Sequence, residues 1–143
     1  MKKRLREDLN EARRARDKLH TQLLTTILAD LRYREIELGR DANDADVIEV
    51  VNRGIKRRRE AAEQMRSGNR TDLANKEETE AGLLAVYLPK QLAESEVRNY
   101  VRAAIADGAT SMGAVMGKIM PRIKGVFDGK EANRIVREEL EQR

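Results

Sequence analysis

The sequence predicts an all-α protein, and three observations carry that prediction. Charged residues make up 38% of the 143 positions and aromatic residues 3%, a balance that suits helices faced with ion pairs better than the aromatic packing of sheets. Apolar residues recur at intervals of three or four along most of the chain, the spacing of one helical face. No alternating apolar–polar run is long enough to propose a strand. The expected architecture is an N-terminal hairpin or bundle of long helices, followed by a small three-helix C-terminal domain.

Residues 2–16 are dense in charge, with a thin apolar line of Leu5, Leu9 and Ala12; this marks a short amphipathic helix with little to bury. Asp17 is placed to cap a second helix, with Leu24, Ile27, Leu28, Leu31 and Leu38 inward and Gly39 as its stop. Asn43 or Asp44 caps a third, whose inner stripe is Val47 or Ile48, then Val51, Ile55, Ala62 and Met65. The same progression puts Arg58 on that stripe. An unpaired buried charge is costly, so Arg58 has to snorkel or meet a carboxylate. Glu77 or Glu80 is the expected partner, in a structural ion pair. Ser67-Gly68-Asn69 ends the third helix, and a fourth runs from Thr71 or Asp72 through Leu73, Leu83 and Leu84 to Tyr87.

Tyr87-Leu88-Pro89-Lys90-Gln91-Leu92 divides the chain. Proline lacks an amide hydrogen and biases the residue before it away from helical angles, so a helix ends here. Leu88 and Leu92 flank the break, which argues for a packed elbow rather than a free linker. The expected domains are residues 1–89 and 90–143. Beyond the elbow, Val97, Val101, Ala104 and Ile105 define a helix ended by Gly108. Ser111 caps the next, with Val115, Met116, Ile119 and Ile123 inside, Pro121 forcing a kink or an early end, and Gly125 following. Asp128 caps the last, whose face is Ala132, Ile135, Val136 and Leu140. About 50 residues lie near the lower limit for independent folding.

Several classes of function lose ground on composition. Cysteine is absent, so there is no disulfide or thiolate chemistry. No apolar run approaches the ~20 residues that span a bilayer. The basic start lacks a following apolar core, so no secretory signal is expected and the expected address is cytoplasmic. The single histidine, His20, lies in a charged helical stretch, and the serines at 67, 95 and 111 sit at turns or helix starts where hydroxyls cap. No catalytic residue, metal ligand or cofactor site is therefore assigned. The carboxylates Asp72, Glu77 and Glu80 read as solvated or salt-bridged. Gly113, Gly117, Gly125 and Gly129 match no phosphate-loop pattern.

Charge is unevenly placed: residues 1–70 hold 18 Lys and Arg against 13 Asp and Glu, while 71–143 hold 11 against 12. Within the second half, however, Lys118, Arg122, Lys124, Lys130, Arg134 and Arg137 fall within twenty positions. Lys118 and Arg122 share a helix face, as do Lys130 and Arg134. Such a set could track the phosphates of structured RNA, and plain solvation is the competing reading. The run Lys56-Arg57-Arg58-Arg59 fans around a helix, and the neighbouring helix's carboxylates are its expected partners ahead of an acidic partner molecule.

Short motifs in a fixed order carry a resemblance over nearly the whole chain. Ile55 to Met65, Asn69-Arg-Thr-Asp-Leu73, Lys76-Glu77, Glu80, Tyr87 to Leu92, Gly108-Ala109, Met112 to Met116, Gly125 to Gly129, Ile135-Val136 and Leu140 resemble the YqeY-like proteins of the GatB/YqeY family. Thr25, Ala61 and Met65 stand where that family commonly has other residues. The resemblance implies a helical hairpin and a small helical C-terminal domain similar to the tail of the B subunit of glutamine-dependent tRNA amidotransferase, and to tails on some glutaminyl-tRNA synthetases. In those settings the tail touches tRNA and performs no chemistry. The resemblance also implies an inherited description as a carbon–nitrogen ligase with glutamine as amido donor, although no stretch here matches the amidase or the ATP-binding cradle. The expected function is thus a tRNA-binding accessory module. The alternatives are a module that docks on a protein of translation or tRNA aminoacylation, and the ligase itself.

Overall fold

The computed structural model describes all of residues 1–143, and it contains seven helices and no strand. They are α1 (Lys2–Arg14), α2 (Lys18–Leu38), α3 (Asp44–Ser67), α4 (Thr71–Ala85), α5 (Glu94–Ala106), α6 (Met112–Ile123) and α7 (Gly129–Glu141). The chain divides into two compact units, Met1–Leu88 and Pro89–Arg143. Leu88 packs against the core of the first, and Leu92 against the core of the second.

Local signals in the sequence set most of the helix ends. Asp17 accepts from the His20 amide at 3.1 Å at the start of α2, which satisfies one of the donors a helix start leaves free. Asn43 and Asp46 close a reciprocal capping box on α3, at 3.0 and 2.9 Å. Ser111 and Asp128 cap α6 and α7. Gly39 ends α2 at φ 70°, a left-handed backbone that glycine adopts without steric cost. Pro121 sits in the last turn of α6, and the helix stops two residues later at Ile123. The helix therefore accommodates the proline and still reaches the last residue of its expected inner stripe.

In the first unit each helix packs on its neighbour in sequence, and α3 with α4 forms the most extensive pair. Leu5, Leu9, Leu24, Ile27, Leu31, Val47, Val51 and Leu84 are buried in one core. Two buried carboxylates brace it. Glu35 accepts from Lys2 Nζ at 2.6 Å and from the Ala42 amide at 2.8 Å, tying α1 to the α2–α3 turn. Asp46 meets Arg40 at 2.7 Å. Tyr87, just past α4, donates its hydroxyl to Asp8 of α1 while Arg4 lies 4.7 Å from its ring centroid. Burial, together with that carboxylate, pushes the phenol's pKa well above its usual value.

Leu73 departs from the expected inner face of α4: it is 37% exposed, and Ala74 and Ala81 are buried instead. Nearer the other end of α4, the helices approach closely at Gly54, where an added Cβ would lie 2.9 Å from Ile27 Cδ1 and 3.3 Å from Leu84 Cδ1.

The second unit is a three-helix cluster in which each helix touches the other two. Val97, Val101, Val115, Ile119, Ile123, Ala132, Ile135 and Val136 form its core. The Leu92 amide donates to the Val126 carbonyl at 2.8 Å, fastening the entry of the chain to the α6–α7 turn.

Candidate nucleic-acid interface

Six cations of the second unit are the sequence's candidates for phosphate contacts, and their surroundings divide them. Lys118, Arg122, Lys124, Lys130 and Arg137 are exposed, and none forms an ion pair. Arg134 differs. Its guanidinium meets Glu94 at 2.5 Å, Glu138 at 2.7 Å and Glu131 at 2.8 Å. Glu94 above all, then Glu131 and Glu138, raise its pKa beyond the ordinary arginine value. A cation held by three carboxylates is a fastener between α5 and α7, so Arg134 leaves the expected RNA-contacting set.

The remaining five do not share one helix face. Lys118 and Arg122, four residues apart, lie together on α6. The Arg122 guanidinium carbon sits 5.0 Å from the ring centroid of Tyr100 on α5. A ring beneath the guanidinium restrains its orientation without occupying its N–H donors, which leaves a planar fork free for phosphate oxygens. Lys124 follows at the end of α6, where the backbone leaves the helix at ψ 123°. Lys130 and Arg137 are seven apart on α7, two turns along one outward face.

Tyr100 is a residue that sequence reasoning did not place at this site. It is half-buried, packed on the core and also under Arg122. Spacing within α5 marks Tyr100 as near the apolar stripe, but nothing local to α5 shows that α6 brings an arginine over it.

Behind these cations lies a charge network that holds α5 to α7. Glu139 is buried, with its side chain only 2% exposed. It accepts from Arg102 Nε at 3.1 Å and Nη2 at 3.2 Å, and from Arg98 Nη1 at 3.1 Å. Arg98 also reaches Glu138 and Glu94. Arg102, then Arg98, hold the Glu139 carboxyl below the usual range despite burial, which acts the other way. Arg98 and then Arg134 lower Glu138, and Arg134 above all lowers Glu94. Desolvating an ion is costly, and the network offsets this with several charge-assisted hydrogen bonds.

In the first unit, Arg58 Nε donates to Glu80 Oε2 at 3.0 Å, and Arg58 Nη1 donates to the Gly54 carbonyl at 3.0 Å. Glu80 is thus the carboxylate that Arg58 meets, and Glu77 lies half-buried beside it on α4. The basic run fares otherwise than expected, because Arg58 alone of Lys56-Arg57-Arg58-Arg59 finds a carboxylate on the neighbouring helix. His20 Nδ1 is 2.8 Å from Asp17 Oδ2, a local contact at the α2 cap.

The family model for YqeY-like proteins matches residues 2–140. A protein of Schizosaccharomyces pombe described as uncharacterised is 33% identical over 86 residues, 60% of this chain and 70% of its own length. "Altered inheritance of mitochondria protein 41, mitochondrial" of Pyrenophora tritici-repentis is 28% identical over 127 residues, 85% of this chain and 70% of that protein. The protein of the same description from Lachancea thermotolerans is 28% identical over 93 residues, 64% of this chain and half of the relative. No helix is long and apolar enough to cross a membrane.

Proposed function

The chain belongs to the YqeY-like protein family, and on that premise we propose that it is a tRNA-binding accessory module related to glutamine-dependent tRNA amidotransferase, without bond-making chemistry of its own. The observation that carries this reading is the Arg122 guanidinium over Tyr100, with Lys118 one turn earlier and no carboxylate on either. Both cations have free donors, and one is already oriented. Phosphate contacts fix register and supply affinity through counterion release. Lys124 extends the same end of α6. Lys130 and Arg137 form a second pair that adds to long-range attraction.

Two of the groups a covalent mechanism would draw on have structural partners. Ser111 caps α6 and His20 sits against Asp17. Activity as a glutamine-dependent carbon–nitrogen ligase is therefore the weaker reading. A cytoplasmic address goes with the proposal. Two fungal relatives carry "mitochondrial" in their names, and tRNA is handled in both compartments.

The test is tRNA binding by fluorescence anisotropy over a range of salt, for the full chain and for the double variant Lys118→Glu, Arg122→Glu. The expected result is weaker binding and a log–log salt slope reduced by roughly 0.7–0.9 for each phosphate that is no longer neutralised. Unchanged affinity and slope would overturn the reading. So would glutamine- and ATP-dependent amidation of mischarged tRNA by the pure chain.

A further inference from the structure

We propose that the outer flank of α2 and α3 is a docking groove for an acidic amphipathic helix of a partner protein, a role separate from the phosphate contacts assigned to the second unit. The groove is lined by Asp30, Tyr33, Arg34 and Glu37 of α2 and by Arg53 and Arg57 of α3. Tyr33 is 68% exposed and Ile36 65%, and they are the only large apolar side chains that α2 leaves in water. Three apart on one helix, they are neighbours on its surface, and Tyr33 lines the groove. Paired exposed anchors beside a concavity differ from apolar residues scattered singly.

The facing helix supplies the opposite chemistry. Arg57 lines the groove with no carboxylate partner, and Lys56, three residues from Arg53, has none either. Arg34 turns its outer nitrogens to Glu37 at 3.0 Å and Glu49 at 3.7 Å, while its Nε is buried without an acceptor.

Apolar anchors flanked by unpaired cations match a helix with a ridge at i, i+3, i+4 and i+7 and carboxylates along one side. Tyrosine and arginine are also the residue types that dominate binding energy at interfaces. Nucleic acid fits less well. A phosphate backbone carries charge along its whole length and would meet Asp30 and Glu37, whereas a helix confines its carboxylates to one flank.

The probe is a fluorescein-labelled synthetic helix of ~18 residues, about five turns, with leucines on one ridge and glutamates beside them. Its controls are a scrambled isomer and a version with lysine for glutamate. Anisotropy with the full chain should show binding of the acidic helix and not of the scrambled one. Ile36→Ser and Arg57→Glu should each weaken it about tenfold, with helix content and tRNA affinity unchanged. Arg57→Glu should also improve binding of the lysine version. Equal binding of the scrambled isomer, no binding at all, or wild-type affinity in both variants would overturn the proposal. Failure of tRNA binding in these variants would overturn it too, by making nucleic acid the occupant.

Discussion

Glu139 shows how much one side chain can carry. Replacing it with glutamine removes the charge that two arginines share and leaves a buried amide with fewer strong acceptors. Breaking a buried pair from one side costs about 3 kcal/mol, and the partial exposure of Arg102 argues for the lower side of that figure. Denaturant unfolding of the Glu139→Gln variant should therefore lose about 2 kcal/mol from the second unit. The same carboxylates set a pH dependence. Glu94, Glu138 and Glu139 have folded pKa values below the ordinary 4.5. Their contribution is then complete above that pH and is lost as pH falls from 4.5 through their folded values. The melting temperature of the second unit should be flat between pH 6 and pH 8, to within about a degree, and fall below about pH 4.5. The position of Glu139 was legible but not its burial. It follows Ala132, Ile135 and Val136 on the inner stripe, yet only the approach of α5 reveals the two arginines that make a carboxylate tolerable there.

At the scale of helices, the ends were written locally and could be read locally. Asp17, Asn43, Ser111 and Asp128 cap as their residue types and positions imply. Asn43→Ala should cost about 1 kcal/mol by removing one arm of the capping box, measurable as a shift in the unfolding midpoint of the first unit. The α3–α4 packing was less legible because its signal is the absence of bulk. Gly54, Ala62, Ala74 and Ala81 are all buried, and small residues add little to an apolar periodicity. Gly54→Leu tests this packing. Helix propensity favours the change by about 1 kcal/mol, but Ile27 and Leu84 leave no room for the added atoms. Overpacking of about 1–3 kcal/mol should outweigh this, for a net cost of up to about 2 kcal/mol in thermal or denaturant unfolding.

For the whole molecule, the organisation into an N-terminal helical unit and a three-helix C-terminal one could be read from the proline and the change in helix length. What the second unit offers a partner could not, because the separation of Arg134 from its fellow cations depends on where Glu94 comes to rest. Hydrogen exchange should resolve the two units as distinct cooperative blocks. Glu139→Gln should lower protection in α5 and α7, and Asn43→Ala in α3. If each variant instead lowers protection uniformly along the chain, the blocks are one.

The tyrosine at the end of α4 has a consequence for the order in which a new chain takes shape. Its hydroxyl bonds to Asp8 across 79 positions, so α1 is fastened at that point only once nearly all of the first unit has been made. The 55 residues that follow take roughly 3–11 s to synthesise at about 5–20 residues per second, long beside the microseconds to milliseconds of a helical bundle rich in local contacts. On the ribosome, the leading unit is closed while the trailing one is still being translated.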